Sequence, residues 1–151
     1  MSRLLRTGAV IALAALTSCG GDATGPSRFQ GQYALTAVNG TPLPAFRLPA
    51  TVECDRWLVS GALSLLPDSL FVLADRDSLD CSRAGAPPST SWNAFGGRYS
   101  VTGIQLELLP DDIVAGTQYL ATLQGDVLTL TTTAVPGFTF QTIYSYARIR
   151  N

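Results

Sequence analysis

The sequence predicts an all-β domain: an antiparallel up-and-down barrel or half-barrel of about eight strands, preceded by a signal peptide and a flexible tether. Three observations lead to this prediction. After Phe29, apolar and polar residues alternate with period two, the alternating runs end at turn-forming residues, and no segment has the period of an amphipathic helix. Because hairpin follows hairpin, closure into a barrel is favoured over the alternative, a β-sandwich.

The N-terminus has the pattern of a secretory signal. Arg3 and Arg6 precede an uncharged apolar run over residues 7–16, which is shorter than the roughly 20 residues of a membrane-spanning helix. The run ends in Leu-Thr-Ser-Cys at residues 16–19, which resembles the bacterial lipobox. The resemblance implies a lipoprotein signal peptide over residues 1–18, cleavage before Cys19, and lipid on the sulfur and amino group of that cysteine.

This resemblance also implies a location. Two or more acyl chains, such as palmitate, on Cys19 would hold the protein stably on a membrane. Gly20, rather than an aspartate, follows the cysteine, which resembles the outer-membrane sorting pattern. We therefore expect a lipid-anchored protein of the cell envelope, on the periplasmic or the surface face of the outer membrane. The alternatives are an ordinary signal with a chance cysteine and a cytoplasmic protein with an apolar N-terminus.

The mature chain divides into a tether and one domain. Residues 19–28 are polar and rich in glycine and proline, which is typical of a flexible linker. Residues 29–151 have the length of a single domain. Turn signals occur at residues 39–40, 67–69, 103 and 125–126. The strands between them place these residues on one face: Tyr33, Leu35 and Ala37; Leu63 and Leu65; Tyr99 and Val101; Leu106 and Leu108; Tyr119, Ala121 and Leu123; Leu128 and Leu130; Phe138, Phe140, Tyr144 and Tyr146.

Residues 31–44 read Gly-Gln-Tyr-Ala-Leu-Thr-Ala-Val-Asn-Gly-Thr-Pro-Leu-Pro. This segment resembles the opening of small bacterial lipocalin-like domains, in which a Gly-x-aromatic strand precedes Val-Asn-Gly and Leu-Pro. The segments at residues 97–99, 106–108 and 125–130 are similar to the repeating hairpins of that group. The resemblance covers residues 29–149 and implies a calycin-type barrel without catalytic residues. The segment from Cys81 to Phe95 departs from it as an insertion.

Cys54 and Cys81 are the two cysteines beyond the lipobox. An even pair in an oxidising compartment indicates a disulfide. The alternatives are a metal site and a reactive thiol. Both are disfavoured, because the chain has no histidine and no Cys-x-x-Cys motif.

Composition disfavours several functions. The chain has no histidine and no lysine, and its formal charge of −1 becomes more negative once Arg3 and Arg6 leave with the signal. The missing histidine removes the commonest general base and the usual zinc ligand. The acidic balance argues against nucleic acid. No nucleophile, phosphate-loop or dinucleotide motif is present, so we predict that the protein is not an enzyme and uses neither cofactor nor metal.

Three acidic residues are interpreted as solvent-exposed side chains rather than as a metal site. Asp75, Asp77 and Asp80 have a spacing slightly like that of calcium ligands, but the turn glycine and the closing glutamate are missing. We therefore expect a solvated hairpin end. No charge is evident at the strand centres, so any ligand inside the barrel should be neutral or apolar.

Candidate ligand contacts are aromatic. The face of the last strand could line a cavity, or it could simply fill the core. Two large aromatics in the loop at residues 82–96 either cap the barrel or contact a ligand or partner, and Trp57 and Trp92 should report ligand entry. The candidate ligand-binding residues are Trp92, Phe95, Phe138, Phe140 and Tyr144.

Three functional hypotheses follow. The first is a membrane-anchored, non-catalytic binding module for a small apolar ligand or an envelope component. The second is a protein-interaction or protease-inhibitor-like module. The third is a structural envelope protein without a ligand. A hollow interior would favour the first, an exposed aromatic loop over a solid core the second, and a filled core with a polar surface the third.

Overall fold

A computed structural model describes residues 25–47, 54–111, 118–133 and 141–150. The described residues form ten strands and three short 3-10 turns, the first at Pro26–Arg28. The strands are β1 (Gly31–Val38), β2 (Thr41–Pro42), β3 (Ala45–Phe46), β4 (Asp55–Leu65), β5 (Leu70–Asp80), β6 (Ser89–Thr102), β7 (Gln105–Pro110), β8 (Gln118–Gln124), β9 (Val127–Thr133) and β10 (Thr142–Arg148). The described residues contain no helix long and apolar enough to cross a bilayer.

The strands form a closed antiparallel barrel. From β4 to β10, each strand pairs with the next along the chain, and β1 pairs with both β10 and β4. Eight strands therefore close the barrel, while the two-residue strands β2 and β3 add short pairings to β1 and β4. The prediction of an all-β up-and-down barrel of about eight strands is confirmed, and closure is complete. Closure gives each of the eight barrel strands a partner on both sides, although the described part of the chain pairs the first half of β6 with β5 alone.

Period-two alternation places one face of each strand inside the barrel. The interior near the turns at residues 66–69, 103–104 and 125–126 is solidly packed, and we call this the closed end. The predicted turn positions are confirmed, with left-handed backbone at Gly103 and Gly125. The packed interior consists of Phe29, Tyr33, Leu35, Leu63, Leu65, Phe71, Tyr99, Leu106, Leu108, Ala121, Leu128 and Tyr146, all buried.

The N-terminal 3-10 turn covers the closed end. Phe29, directly after this turn, is fully buried, and its carbonyl oxygen accepts a hydrogen bond of 2.6 Å from the Tyr33 hydroxyl. The Arg148 guanidinium lies 5.2 Å from the centre of the Tyr33 ring and donates a hydrogen bond to the Arg28 carbonyl oxygen. The chain therefore enters the barrel from the packed end.

The predicted disulfide is confirmed. Cys54 and Cys81 are bonded, with Cα atoms 4.2 Å apart and a sequence separation of 27 residues. These cysteines precede β4 and follow β5 directly. The bond therefore joins the two free ends of the β4–β5 hairpin at the end of the barrel opposite the closed end.

The interpretation of residues 82–96 as an inserted loop is wrong from Ser89 onward. Ser89 to Phe95 belong to β6 and pair with β5 residue by residue. Most side chains of this segment are small and polar, but pairing with β5 gives partners to the backbone groups on that side, so the segment forms a strand without an apolar pattern of its own. Alternation along β6 then sends Trp92 and Phe95 to opposite faces of the sheet.

Candidate functional site

The barrel is hollow at the end opposite the closed end. A cavity of about 410 Å³ lies there, within the range of about 300–1,000 Å³ that is usual for small-molecule sites. Its walls come from β4, β5, β6, β8, β9 and β10, together with the residue after β3. The lining residues are Arg47, Arg56, Leu73, Asp75, Asp77, Asn93, Phe95, Tyr119, Leu130, Thr132, Tyr144 and Tyr146.

Part of the cavity lining is aromatic and aliphatic. Leu73, Leu130 and Tyr146 are buried, and they separate the cavity from the packed interior. The rings of Phe95 and Tyr119 lie 5.7 Å apart between centroids, at 49°. This part of the lining offers apolar surface and aromatic rings to a ligand.

The lining also carries a charged cluster, formed by Arg47, Asp75, Asp77 and Asn93. Arg47 donates hydrogen bonds from Nη2 to Asp75 Oδ2 at 2.6 Å and from Nη1 to Asp77 Oδ2 at 3.2 Å. Asn93 Nδ2 donates to the same Asp77 oxygen at 3.3 Å. The side chain of Asp77 is 2% exposed and that of Asp75 is 12% exposed. The expectation of a solvated hairpin end is wrong for both aspartates, and so is that of an uncharged interior.

Strand geometry explains the inward direction of both aspartates. Phe71 and Leu73 are buried on the inner face of β5, and two further steps of two residues bring Asp75 and Asp77 to that same face. Gly61 pairs with Asp75 across β4 and β5. A Cβ atom at Gly61 would lie 2.8 Å from Asp75 Oδ1, so the glycine leaves the space that this carboxylate occupies.

Arg47 reaches the cluster because β3 pairs with the start of β4. Phe46 pairs with Trp57, and the Arg47 N–H donates to the Arg56 carbonyl oxygen at 2.8 Å. This pairing carries the Arg47 backbone to the mouth of the barrel. Its side chain then extends inward to both aspartates, which are about thirty residues further along the chain.

Burial controls the ionisation of these groups. Burial raises the pKa of Asp75, and the hydrogen bond and charge of Arg47 reduce this rise without cancelling it. Burial acts to lower the pKa of Arg47, but the hydrogen bond and charges supplied chiefly by Asp75 outweigh it, so this pKa is raised. Burial also raises the pKa of Tyr119 and Tyr144. These two tyrosines are therefore neutral hydrogen-bonding groups at pH 7.

Two carboxylate oxygens of the cluster have no hydrogen-bond donor among the described residues. Asp75 Oδ1 and Asp77 Oδ1 are buried and have no hydrogen-bond partner among the residues that the structure describes. An unsatisfied buried acceptor costs about 1–3 kcal/mol, and a charged one costs more. The described protein groups therefore satisfy these two carboxylates only in part.

The structure brings some of the predicted site residues together and separates others. Phe95 and Tyr144 line the cavity. Trp92 lies on the outer face, is 67% exposed, and packs against the Arg76 guanidinium at 5.6 Å from the ring centre. Trp57 also faces outward, in contact with Phe46, so neither tryptophan would report entry into the cavity. Phe138, Phe140 and Cys19 lie outside the described residues.

The fold and the cavity together define a class: an eight-stranded antiparallel barrel, packed at one end and hollow at the other. Comparison with known proteins finds no matching family model, curated protein or solved structure. The described residues also contain no group of three or more acidic, histidine or cysteine side chains able to hold a metal ion.

Proposed function

We propose that this protein is a lipid-anchored, non-catalytic binding module of the lipocalin-like kind, which holds a small and partly apolar molecule in the end cavity. The observation that carries the proposal is the cavity itself, which lies inside the barrel beside its buried apolar residues. Protein interiors normally leave few voids larger than a water molecule. A purely structural barrel would have no need for a space of this size.

The position of the tether supports the same proposal. The first described residues, from Gly25 to Phe29, lie at the closed end, where the Arg28 side chain donates to the Leu123 carbonyl oxygen at 3.2 Å. A lipid anchor on Cys19 would therefore be attached through residues 19–24 to the closed end. The cavity would then lie at the end of the barrel that is farther from the membrane.

Filling the cavity should abolish binding. Thr132 lines the cavity on β9, and we expect Thr132→Trp to occupy the space that a ligand needs. The probe is N-phenyl-1-naphthylamine, a neutral dye whose emission rises in apolar surroundings. Titration of the purified unmodified protein should give a saturable signal above a protein-free blank of the same composition. Thr132→Trp should reduce that signal by about tenfold or more.

The matched control is Thr131→Trp, on the same strand. Thr131 pairs with Leu120 and Ile143 and points outward by alternation, so this variant adds the same side chain without filling the cavity. It should bind the dye as the unmodified protein does. Equal loss in both variants, or no saturable binding by the unmodified protein, would refute the proposed function.

Lipidation is tested separately. Because the residues before Cys19 resemble a lipobox, growth of a bacterial host with labelled palmitate should label the protein, and Cys19→Ala should abolish the label. Cys54→Ala should leave it unchanged, since that cysteine belongs to the disulfide. Label that persists in Cys19→Ala would contradict the anchor and leave the cavity proposal standing.

A specific observation favours a second candidate, a protein-interaction module. Phe46, Trp57 and Trp92 are 49%, 37% and 67% exposed on the outer face of β3, β4 and β6, and large exposed aromatics often mark contact surfaces. This candidate would move to first place if the dye experiment found no binding in the cavity.

A further inference from the structure

We infer that the charged cluster receives the cationic group of the ligand, so that the cavity selects an organic cation, such as an alkylammonium, over neutral or anionic molecules with the same apolar body. This inference rests on the proposed function, because it assigns the class of ligand that the same cavity takes.

The first argument is charge. With both carboxyls ionised, Asp75 and Asp77 carry two negative charges, and Arg47 supplies the one positive charge that contacts them. Both aspartates project inward from the same strand with one residue between them, so their carboxylates repel each other. The cluster is therefore one positive charge short of neutrality. A ligand cation would make up that difference in a site where water screens poorly.

The second argument is the way hydrogen bonds are distributed over the carboxylate oxygens of the two aspartates. Arg47 binds Oδ2 of Asp75 and Oδ2 of Asp77, and Asn93 also donates to the Asp77 Oδ2. Oδ1 of each aspartate is buried without a hydrogen-bond partner among the described residues. The Asp77 side chain lines the cavity and is 2% exposed. The described protein groups therefore bind one oxygen of each carboxylate and leave the other without a donor, so the negative charge of the pair is only partly compensated.

The third argument is the ring faces around the cluster. Phe95, Tyr119 and Tyr144 line the same cavity as Asp75 and Asp77. Aromatic faces attract cations, by about 0.5–2 kcal/mol depending on desolvation. The apolar surface of Leu73 and Leu130 lies in the same cavity, where it can hold an alkyl chain. The site therefore combines the groups that recognise an ammonium with those that recognise its apolar body.

An anion fits the site less well. The Arg47 guanidinium is already engaged with both carboxylates, and a second anion would meet the net negative charge of the cluster. Arg56 also lines the cavity, but it is exposed at the rim, where water and salt screen its charge. A metal ion fits less well too, because the described part of the chain offers two carboxylates here, with a guanidinium bound to both.

The test compares ligands that share one alkyl chain and differ in the head group. Hexylammonium, hexanol and hexanoate are titrated calorimetrically into the purified full chain, against a protein-free blank. We expect hexylammonium to bind about tenfold more tightly than either of the others. Equal or tighter binding of hexanol or hexanoate would overturn the inference. So would calcium ions that bind alone and displace hexylammonium.

Substitutions locate the preference in the cluster. Asp77→Asn removes the charge while keeping the shape, and it should reduce the affinity for hexylammonium about tenfold and leave that for hexanol within about twofold. The matched control is Asp80→Asn, at the end of the same strand and absent from the cavity lining, which should change neither affinity. Unchanged hexylammonium binding in Asp77→Asn would overturn the assignment. The comparison of head groups on the unmodified chain remains decisive even if this variant does not fold.

Failure of this inference is distinguishable from failure of the proposed function. If the neutral dye binds in the cavity while hexylammonium shows no preference, the cavity binds ligands but the cluster does not select cations. If neither the dye nor any of the three alkyl compounds binds, both proposals fail.

Discussion

Gly97→Ala should lower the free energy of unfolding by about 3 kcal/mol or more. The added methyl group would overpack against backbone atoms that cannot move aside, and overpacking of this kind lies at the upper end of the usual destabilisation. A Cβ atom at Gly97 would lie 2.2 Å from the Leu109 carbonyl oxygen and 2.9 Å from Phe71 Cε1. The closest of these atoms belongs to the backbone of β7, which pairs with β6 at this point. The strands would have to separate, and urea denaturation followed by circular dichroism would measure the loss.

The control for this prediction is Ser100→Ala, on the same strand. Ser100 is exposed, and surface substitutions of this kind usually change stability by less than about 0.5 kcal/mol. A Gly97→Ala protein that unfolds at the same urea concentration as Ser100→Ala would show that β6 and β7 do not approach as closely as described.

Loss of the disulfide should cost a similar amount. The chain-entropy model gives about 3.6 kcal/mol for a cross-link of this span, and the bond between Cys54 and Cys81 closes a separation of 27 residues. We therefore expect the double substitution Cys54→Ala and Cys81→Ala to lower the free energy of unfolding by about 3 kcal/mol. Chemical denaturation of both proteins under identical non-reducing conditions provides the measurement.

A reducing agent supplies the control for the disulfide. It should destabilise the unmodified protein by a comparable amount and leave the double variant unchanged, because that variant has no bond to reduce. A loss below about 1 kcal/mol would contradict the expected contribution, and it would indicate that pairing between β4 and β5 already restrains the unfolded chain.

The packed interior and the cavity lie at opposite ends of this barrel. The closed end contains Phe29, Tyr33 and Tyr99, all buried, and it receives the N-terminal segment. The other end contains the cavity and the charged cluster. A cavity forgoes packing energy, so the well-packed closed end and the disulfide contribute the stability that offsets this loss.

The architecture was predictable because its signals are local. Alternation at Tyr33 and Leu35, and again at Leu63 and Leu65, identifies strands with one buried face, and all four side chains are buried. Turn residues such as Gly103 and Gly125 mark where the chain reverses. A chain of consecutive hairpins follows from these signals, because each of them depends on neighbouring residues alone. Closure does not, because it joins β1 to β4 and β10, which are distant in the chain.

Part of the candidate site could also have been predicted by extending one pattern. Phe71, Leu73, Asp75 and Asp77 occupy alternate positions of one strand, so the buried apolar residues at its start already indicate that both aspartates face inward. The prediction of a solvated hairpin end treated the acidic residues as a group of their own. Their charge suggested solvent, whereas their position in the strand placed them inside.

The sequence by itself determined the all-β class, the turns, the apolar parts of the strands, and the pairing of Cys54 with Cys81. Only the tertiary structure decided that the barrel is hollow at one end and that Arg47 meets Asp75 and Asp77 there. The physical reason is the distance along the chain between the residues that interact. Strands and turns depend on neighbouring residues, whereas the register of β3 on β4 and the volume left between inward side chains depend on residues far apart in the chain.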